Sequence, residues 1–384
     1  MARSIFKLVS TLLAVSAASI SAANAGGFSR GTADTDIIYE EGNFNLRAGA
    51  TIVVPSRKFT KALAPLGGTL VGTDAYQTYV IPSAAIKLNV VDDLRCALTF
   101  TQSNGGDVEY AVPFGGSAKK SEKFVTNEFG ATCAYKFDLS KGRFWLLGGI
   151  YGESFDYDLA AAGGAIAVHL EGNDIGYRIG AAYEIPEIAL RAQLMYRSGT
   201  SYGAKGTTTR FAATGTALDG LPLGVALPIA SGNGDLPQSV ELKLQSGIAP
   251  GWLAFGSVKW TDWSVTDTLD LYLTPTTLRQ NLYYWRDGWT VTGGIGHAFT
   301  EKLSGAVSVT WDSGVGTGWD LSSATYTLGI GGSYKDDLGG ELRGGVGVTY
   351  ISGATESRNT PAFLNSAVDS GMAYAVSASY KVKW

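Results

Sequence analysis

At the C-terminus, Met372, Tyr374, Val376, Ala378, Tyr380, Val382 and Trp384 occupy every second position, with Ala373, Ala375, Ser377, Ser379, Lys381 and Lys383 between them. A period of two with one apolar and one small or polar face predicts a β-strand. The pattern recurs upstream and predicts strands near 44–54, 76–89, 93–102, 122–136, 142–154, 172–184, 187–198, 236–247, 250–266, 288–298, 302–312, 323–334, 340–352 and 370–384. About fourteen strands, an even number, and a terminal aromatic fit a transmembrane antiparallel β-barrel. Leu46, Ala48, Ala50, Ile52 and Val54 in the first strand, and Ile188, Leu190, Ala192, Leu194 and Tyr196 in the seventh, then face lipid; Asn45, Arg47, Arg191, Gln193 and Arg197 face the lumen. A soluble barrel would reverse these faces. A soluble sandwich can also end in an amphipathic strand, but it does not account for the same pattern along the whole chain.

Connection lengths alternate in the same sense. Short turns are expected near 90–92, 137–141, 185–186, 247–249, 300–301 and 335–339, and long loops near 55–75, 103–121, 155–171, 199–235, 267–287, 313–322 and 353–369. Outer-membrane barrels pair short periplasmic turns with long external loops, which puts both termini in the periplasm. Before the first strand, Arg3 and Lys7 precede an apolar stretch from Leu8 to Ile20 and a small-residue site Ala23-Asn24-Ala25. This reads as a secretory signal peptide cut after Ala25. The organisation is thus a signal peptide over 1–25, a hatch segment over 26–43 and a barrel over 44–384, located in the outer membrane after cleavage.

Composition supports this class. The 384 residues include 51 glycines, 11% aromatics and a near-neutral mean hydropathy of +0.07, as expected where hydrophobicity is hidden in alternation. Removing Arg3 and Lys7 leaves 28 basic against 34 acidic side chains, which offers nothing to a nucleic-acid partner. Gly293-Gly294-Ile295-Gly296 and Gly329-Ile330-Gly331-Gly332 lie in strand patterns without a following Lys-Ser/Thr, so no nucleotide site is read there. Metal-ligand clusters and cofactor motifs are not evident. The two histidines, His169 and His297, fall at opposite ends of the expected barrel and cannot share one site; a hydrolytic pair around His169 alone is the remaining enzymatic reading, and no catalytic residue is assigned.

The chemistry that stands out is apolar. Phe155, Leu159, Ile166 and Val168 fall in one expected loop, and Phe211, Leu221 and Leu223 in another. A greasy external patch suits capture of a hydrophobic small molecule. Loops packing on one another to cap the barrel would look the same, and a general diffusion porin for small solutes is the alternative function.

The order of features resembles the FadL family of outer-membrane transporters for long-chain fatty acids and other hydrophobic compounds. The resemblance rests on Leu236-Pro237 opening a strand pair that ends in Trp260-Thr261-Asp262-Trp263-Ser264, on Tyr196-Arg197-Ser198, on Gly27-Phe28 and on Val80-Ile81-Pro82-Ser83. It implies a fourteen-stranded barrel, an inward-folded N-terminal hatch, loop capture, an interior pocket and sideways exit through a gap in the wall, with outer-membrane lipid as receiving phase and the chain as a monomer. Segment 26–43 is shorter than that family's usual hatch and lacks its Asn-Pro-Ala motif, and loop 155–171 is brief, which leaves plugging and the outer groove open.

Four residue-level expectations follow. Arg178, Arg191 and Arg197 share lumen parity, with Arg178 nearly opposite Gln193, and two neighbouring guanidinium groups can hold a carboxylate; pairing with lumen acids such as Asp174 and Glu184 competes with that. Phe28, by the family resemblance, tucks into the lumen beside the ligand, unless 26–43 is a loose tail. Pro82 removes a ladder hydrogen bond and marks a bulge or an opening, so Ile81, Pro82 and Ser83 are the candidate lateral exit. Cys96 and Cys133, with index sum 229 on consecutive antiparallel strands, share the lipid-facing parity and are expected to form a disulfide, the alternative being two free thiols.

Overall fold

Alternating side chains leave each strand with edges that lipid cannot satisfy, so only closure of the sheet pairs every backbone group. The structure, a computed structural model, describes residues 26–384; the expected signal peptide lies outside the described residues. Fourteen strands form the wall: β1 Phe44–Ser56, β2 Tyr79–Val91, β3 Leu94–Phe114, β4 Lys119–Asp138, β5 Arg143–Ala161, β6 Ile166–Ile185, β7 Leu190–Arg197, β8 Ser239–Ala249, β9 Trp252–Thr261, β10 Gly288–Ala298, β11 Leu303–Asp312, β12 Thr325–Lys335, β13 Glu341–Ile351 and β14 Gly371–Lys383. Each pairs antiparallel with the next, and β1 pairs with β14 in one unbroken register from Asn45↔Lys383 to Ser56↔Met372, which closes the barrel. Among the described residues no α-helix occurs, only short 3-10 turns.

Four further segments raise the wall on one side. Thr200–Arg210 pairs with the outer end of β6, Ala226–Leu236 with that segment, Thr268–Thr274 with Ala226–Leu236, and Thr277–Leu282 with Thr268–Thr274. A small sheet of Phe59–Lys61, Ala354–Thr355 and Ala367–Val368 covers part of the opposite side.

Two expected loops are therefore corrected. Residues 103–121 are mostly strand, with β3 and β4 meeting in a tight turn at Gly115–Ala118, and 155–171 is the turned end of the long hairpin β5–β6. The reason is a reversal of faces. Across the membrane band the outward positions of β6 are apolar, with Ile175, Tyr177 and Ile179 exposed, but above it they are His169, Glu171 and Asn173. There the inward positions turn apolar instead: Phe155, Leu159, Ile166 and Val168 are buried in the upper lumen. Above the membrane the barrel is built like a soluble one, and a polar outer face over an apolar inner one reads as a greasy loop.

Cys96 and Cys133 stand directly opposite each other in the β3–β4 ladder, flanked by Leu98↔Ala131 and Phe100↔Phe129, and their sulfurs are joined. Of the hatch segment, Thr35–Tyr39 forms a 3-10 turn inside the short-turn end of the lumen. Ile37 and Ile38 are fully buried against Ala85, Ala97, Ala134, Trp145, Leu147 and Ala182, which stabilises the docked segment by roughly 1.5–3 kcal/mol for each side chain. The turn's polar side is tied down by charge. Arg47 bonds Asp34 at 2.5 Å and also Glu40, Glu40 meets Lys381 at 3.0 Å and Arg343 at 3.4 Å, and Asp36 meets Lys243 at 3.1 Å.

Candidate ligand site

From the docked turn the hatch segment runs back up the lumen and ends at an aromatic cluster. Phe28 sits at its centre, 4.6 Å from the Phe124 ring, 4.7 Å from Trp285, 5.3 Å from Tyr283 and 6.2 Å from Trp263, mostly edge-to-face. This is the geometry in which ring quadrupoles attract. Gly27 makes the approach possible: its φ is +56°, and a Cβ there would lie 2.7 Å from the Trp263 ring, so a side chain fits neither the backbone nor the space. Beside Phe28 is a cavity of about 230 Å³ lined by Phe59, Tyr79, Tyr110, Phe124, Tyr283 and Trp285 among others. Beyond the Phe28, Phe124 and Tyr283 rings a smaller apolar cavity of about 40 Å³ touches Phe155, Leu170, Tyr202 and Leu271.

Several polar groups of the larger of these two cavities are engaged. Lys119 pairs with Glu122, which also accepts from Tyr157 at 2.7 Å and Asn281 at 2.8 Å. Asp320 accepts from the Trp285 indole at 2.9 Å. The guanidinium of Arg30 lies 4.3 Å from the centre of the Tyr79 ring. Arg57 is buried, and its guanidinium donates to the carbonyls of Leu321 (2.7 Å), Ser352 (2.6 Å) and Asp369 (3.2 Å) and to the hydroxyls of Tyr76 and Ser323.

The wall is interrupted beside this cavity. The β1–β2 register runs through Pro82, which faces Ala50 without a bulge, but the β2–β3 ladder stops at Ser83↔Thr101. Pro82 has no N–H to continue a ladder; its carbonyl accepts from the Thr101 hydroxyl at 3.2 Å. Above that point the free edge of β3 is taken by the hatch segment. Arg30 and Gly31 donate their N–H groups to the carbonyls of Ser103 (2.9 Å) and Gln102 (2.8 Å), and Gly105 donates to the Phe28 carbonyl at 2.9 Å. A Cβ on Gly31 would meet the Thr101 hydroxyl at 2.3 Å, so glycine permits this contact. Ile81 is buried at the same level.

The remaining site expectations are redistributed. Arg178, Arg191 and Arg197 do not converge on the cavity. The β6–β7 register sets Arg178 opposite Arg197 and Ala182 opposite Gln193, because a turn over Pro186–Ile188 takes more residues than the tight Ile185-Pro186 turn expected. Arg178 pairs with the buried Glu128, and Arg197 joins Glu128 (2.9 Å) to Glu153 (2.7 Å). Arg191 donates to Gln245 at 3.2 Å and lies over the Tyr39 ring. Lumen acids thus hold two of the three arginines, but they are Glu128 and Glu153, while Asp174 caps the Ile175 and Ser201 N–H groups and Glu184 faces Arg143 and Trp145. Leu221 packs on the aromatic cluster's periphery, whereas Phe211 and Leu223 are exposed on the outer surface, 59% and 60% accessible.

As site residues, Trp263, Trp285, Tyr283 and Arg57 are not evident from the sequence. Trp263 had a signal, since it lies in Trp260-Thr261-Asp262-Trp263-Ser264, where β9 ends and a 3-10 turn at Trp263–Val265 carries the indole inward. His169 meets Asp158 (2.9 Å) and Asp156 (3.9 Å) on the outer face above the membrane band. His297 lies against the Trp252 ring, the two tilted by 32°, next to a turn at the other rim.

A family model described as outer membrane protein transport protein (OMPP1/FadL/TodX) matches residues 159–313. The fold is shared with a FadL homologue of Pseudomonas aeruginosa, at 13% identity and a TM-score of 0.74 over 93% of this chain and 100% of that one. It is shared also with the toluene transporter TodX of Pseudomonas putida (14%, 0.62, 95% and 98%) and the monoaromatic hydrocarbon channel CymD (12%, 0.62, 94% and 99%). No curated protein matches the sequence.

Proposed function

From the fold that this chain shares with a FadL homologue and with TodX, and from the match of residues 159–313 to the OMPP1/FadL/TodX family model, we propose passive transport of small hydrophobic compounds across the outer membrane. Ligand is captured at the apolar upper lumen, held in the aromatic cavity against Phe28, and released sideways into the bilayer between β2 and β3. The observation that carries this reading is that the cavity and the end of the β2–β3 ladder are bridged by one segment, Phe28–Gly31. A hydrocarbon enters the lipid core without an energy source, gaining about 0.8 kcal/mol per buried CH₂.

The engaged cations favour an uncharged ligand, since Lys119 is committed to Glu122 and Arg178 and Arg197 to wall carboxylates. A long-chain fatty acid is the second reading. Arg57 favours it, because its guanidinium donates hydrogen bonds to neutral oxygens, two of them hydroxyls that a carboxylate can displace. Competition between toluene and a long-chain fatty acid for the purified protein separates the two. Displacement by toluene, with the acid unaffected by Arg57→Met, supports the uncharged ligand; tight binding of the acid that Arg57→Met abolishes supports the second reading; binding of neither refutes both.

A further inference from the structure

Below the aromatic cluster the lumen is filled on one side only. Ile37 and Ile38 pack tightly onto β2–β6, whereas the inward positions on β10, β11, β12 and β14 are small and hydroxylated: Thr292, Ser308, Thr310, Thr327, Ser377 and Ser379. A cavity of about 340 Å³ lies on them, and a second of about 470 Å³ continues toward the short-turn rim. Both touch Asp36, Arg191 and Gln245 at the hatch turn, and Lys243, 3.1 Å from Asp36, lines the upper one. Buried Asp36 Oδ1 and Ser377 Oγ have no hydrogen-bond partner from the protein, which in a roomy polar space calls for water. The upper cavity carries five basic and four acidic side chains, a nearly balanced charge.

We propose that this chain contains a second, water-filled route, running from beneath the ligand cavity along β10–β14 to the short-turn rim and passing small hydrophilic solutes and ions with little charge selectivity. Its narrowest point is Asp36–Lys243. Its upper door is the segment 26–29, since Gly26 and Ser29 line the polar cavity while Gly27, Phe28 and Ser29 line the apolar one. A molecule at Phe28 thus has two ways out, an apolar one through the wall and a polar one along the hydroxylated face. The many small residues of β10–β14 then have a use that strand curvature alone does not supply: they keep the passage open.

The test is ion conductance of the purified, signal-processed protein in planar bilayers. Phe28→Ala, which thins the upper door, is expected to conduct potassium chloride with a reversal potential close to zero in a salt gradient, and adding Asp36→Ala with Lys243→Ala is expected to raise that conductance. Adding Thr292→Trp with Ser308→Trp instead is expected to abolish it, while the Trp pair alone leaves toluene uptake by liposomes intact. Conductance that persists with the Trp pair, or none in the Phe28→Ala/Asp36→Ala/Lys243→Ala protein, overturns the proposal. A variant that fails to assemble is bypassed by Thr292→Cys in the otherwise native chain, whose own cysteines are joined. A charged, membrane-impermeant thiol reagent applied from the short-turn side is expected to label it, and absence of labelling overturns the proposal as well.

Discussion

Glu40 is the residue on which hatch docking turns. The residue is buried, its carboxylate accepts from Arg47 and lies 3.0 Å from Lys381 and 3.4 Å from Arg343, and its backbone carbonyl accepts from Lys87 at 2.8 Å. Removing one partner of a buried ion pair costs about 3–5 kcal/mol, because the opposite charges stay buried. Here Arg47 keeps Asp34, and Arg343 and Lys381 keep Glu341 at 2.7 and 2.6 Å, so Glu40→Ala belongs at the lower end, about 3 kcal/mol. At 1.4 kcal/mol per tenfold, that raises the undocked fraction of the hatch about a hundredfold. The barrel ladder is untouched, so global unfolding stays nearly in place. Hydrogen exchange of the Ile37, Ile38 and Tyr39 amides in detergent-solubilised protein reads the difference. Protection lost at these amides alone is the expected result; unchanged protection would refute the reasoning that charge, together with the two isoleucines, holds the turn.

Arg178→Ala is expected to lower barrel stability by about 3–5 kcal/mol, by leaving Glu128 with half its charge compensation, and to leave ligand affinity as it was; a loss of affinity at unchanged stability returns this arginine to the ligand site. His169, above the membrane, has its pKa raised by the Asp158 hydrogen bond and further by Glu171 and Asp156. The stabilisation by its imidazolium is fully present below the ordinary histidine value and is lost as pH rises through the raised one. Asp158→Asn should bring the midpoint down in an NMR titration, and an unmoved midpoint rejects the assignment.

The wall was legible because lipid imposes alternation on every spanning strand: β1, β10, β11 and β14 fall within two residues of the sequence reading. Legibility failed where that solvent ends. Above the membrane band Phe155, Leu159, Ile166 and Val168 point inward from strands, and a pattern with its faces exchanged reads as a loop. Strand breaks were missed for a related reason. Trp263 and Trp285 leave the ladder to reach Phe28, a tertiary preference that local periodicity does not encode. Parity placed the three arginines in the lumen but not their partners, since one longer turn at Pro186–Ile188 shifted the pairing. Pro82 gave a direct signal, as a residue without an N–H leaves its mark on any sheet.

The most direct test of the transport account is to sew the gap between β2 and β3. Continuing the Ser83↔Thr101 register would set Ile81 opposite Ser103, so Ile81→Cys with Ser103→Cys, in a chain carrying Cys96→Ser and Cys133→Ser, offers a bond across the opening. Uptake of toluene into liposomes containing this protein is measured oxidised and after reduction. The account predicts that oxidation abolishes uptake and reduction restores it; equal uptake in the two states, with the bond verified by mass spectrometry, would contradict exit through the wall.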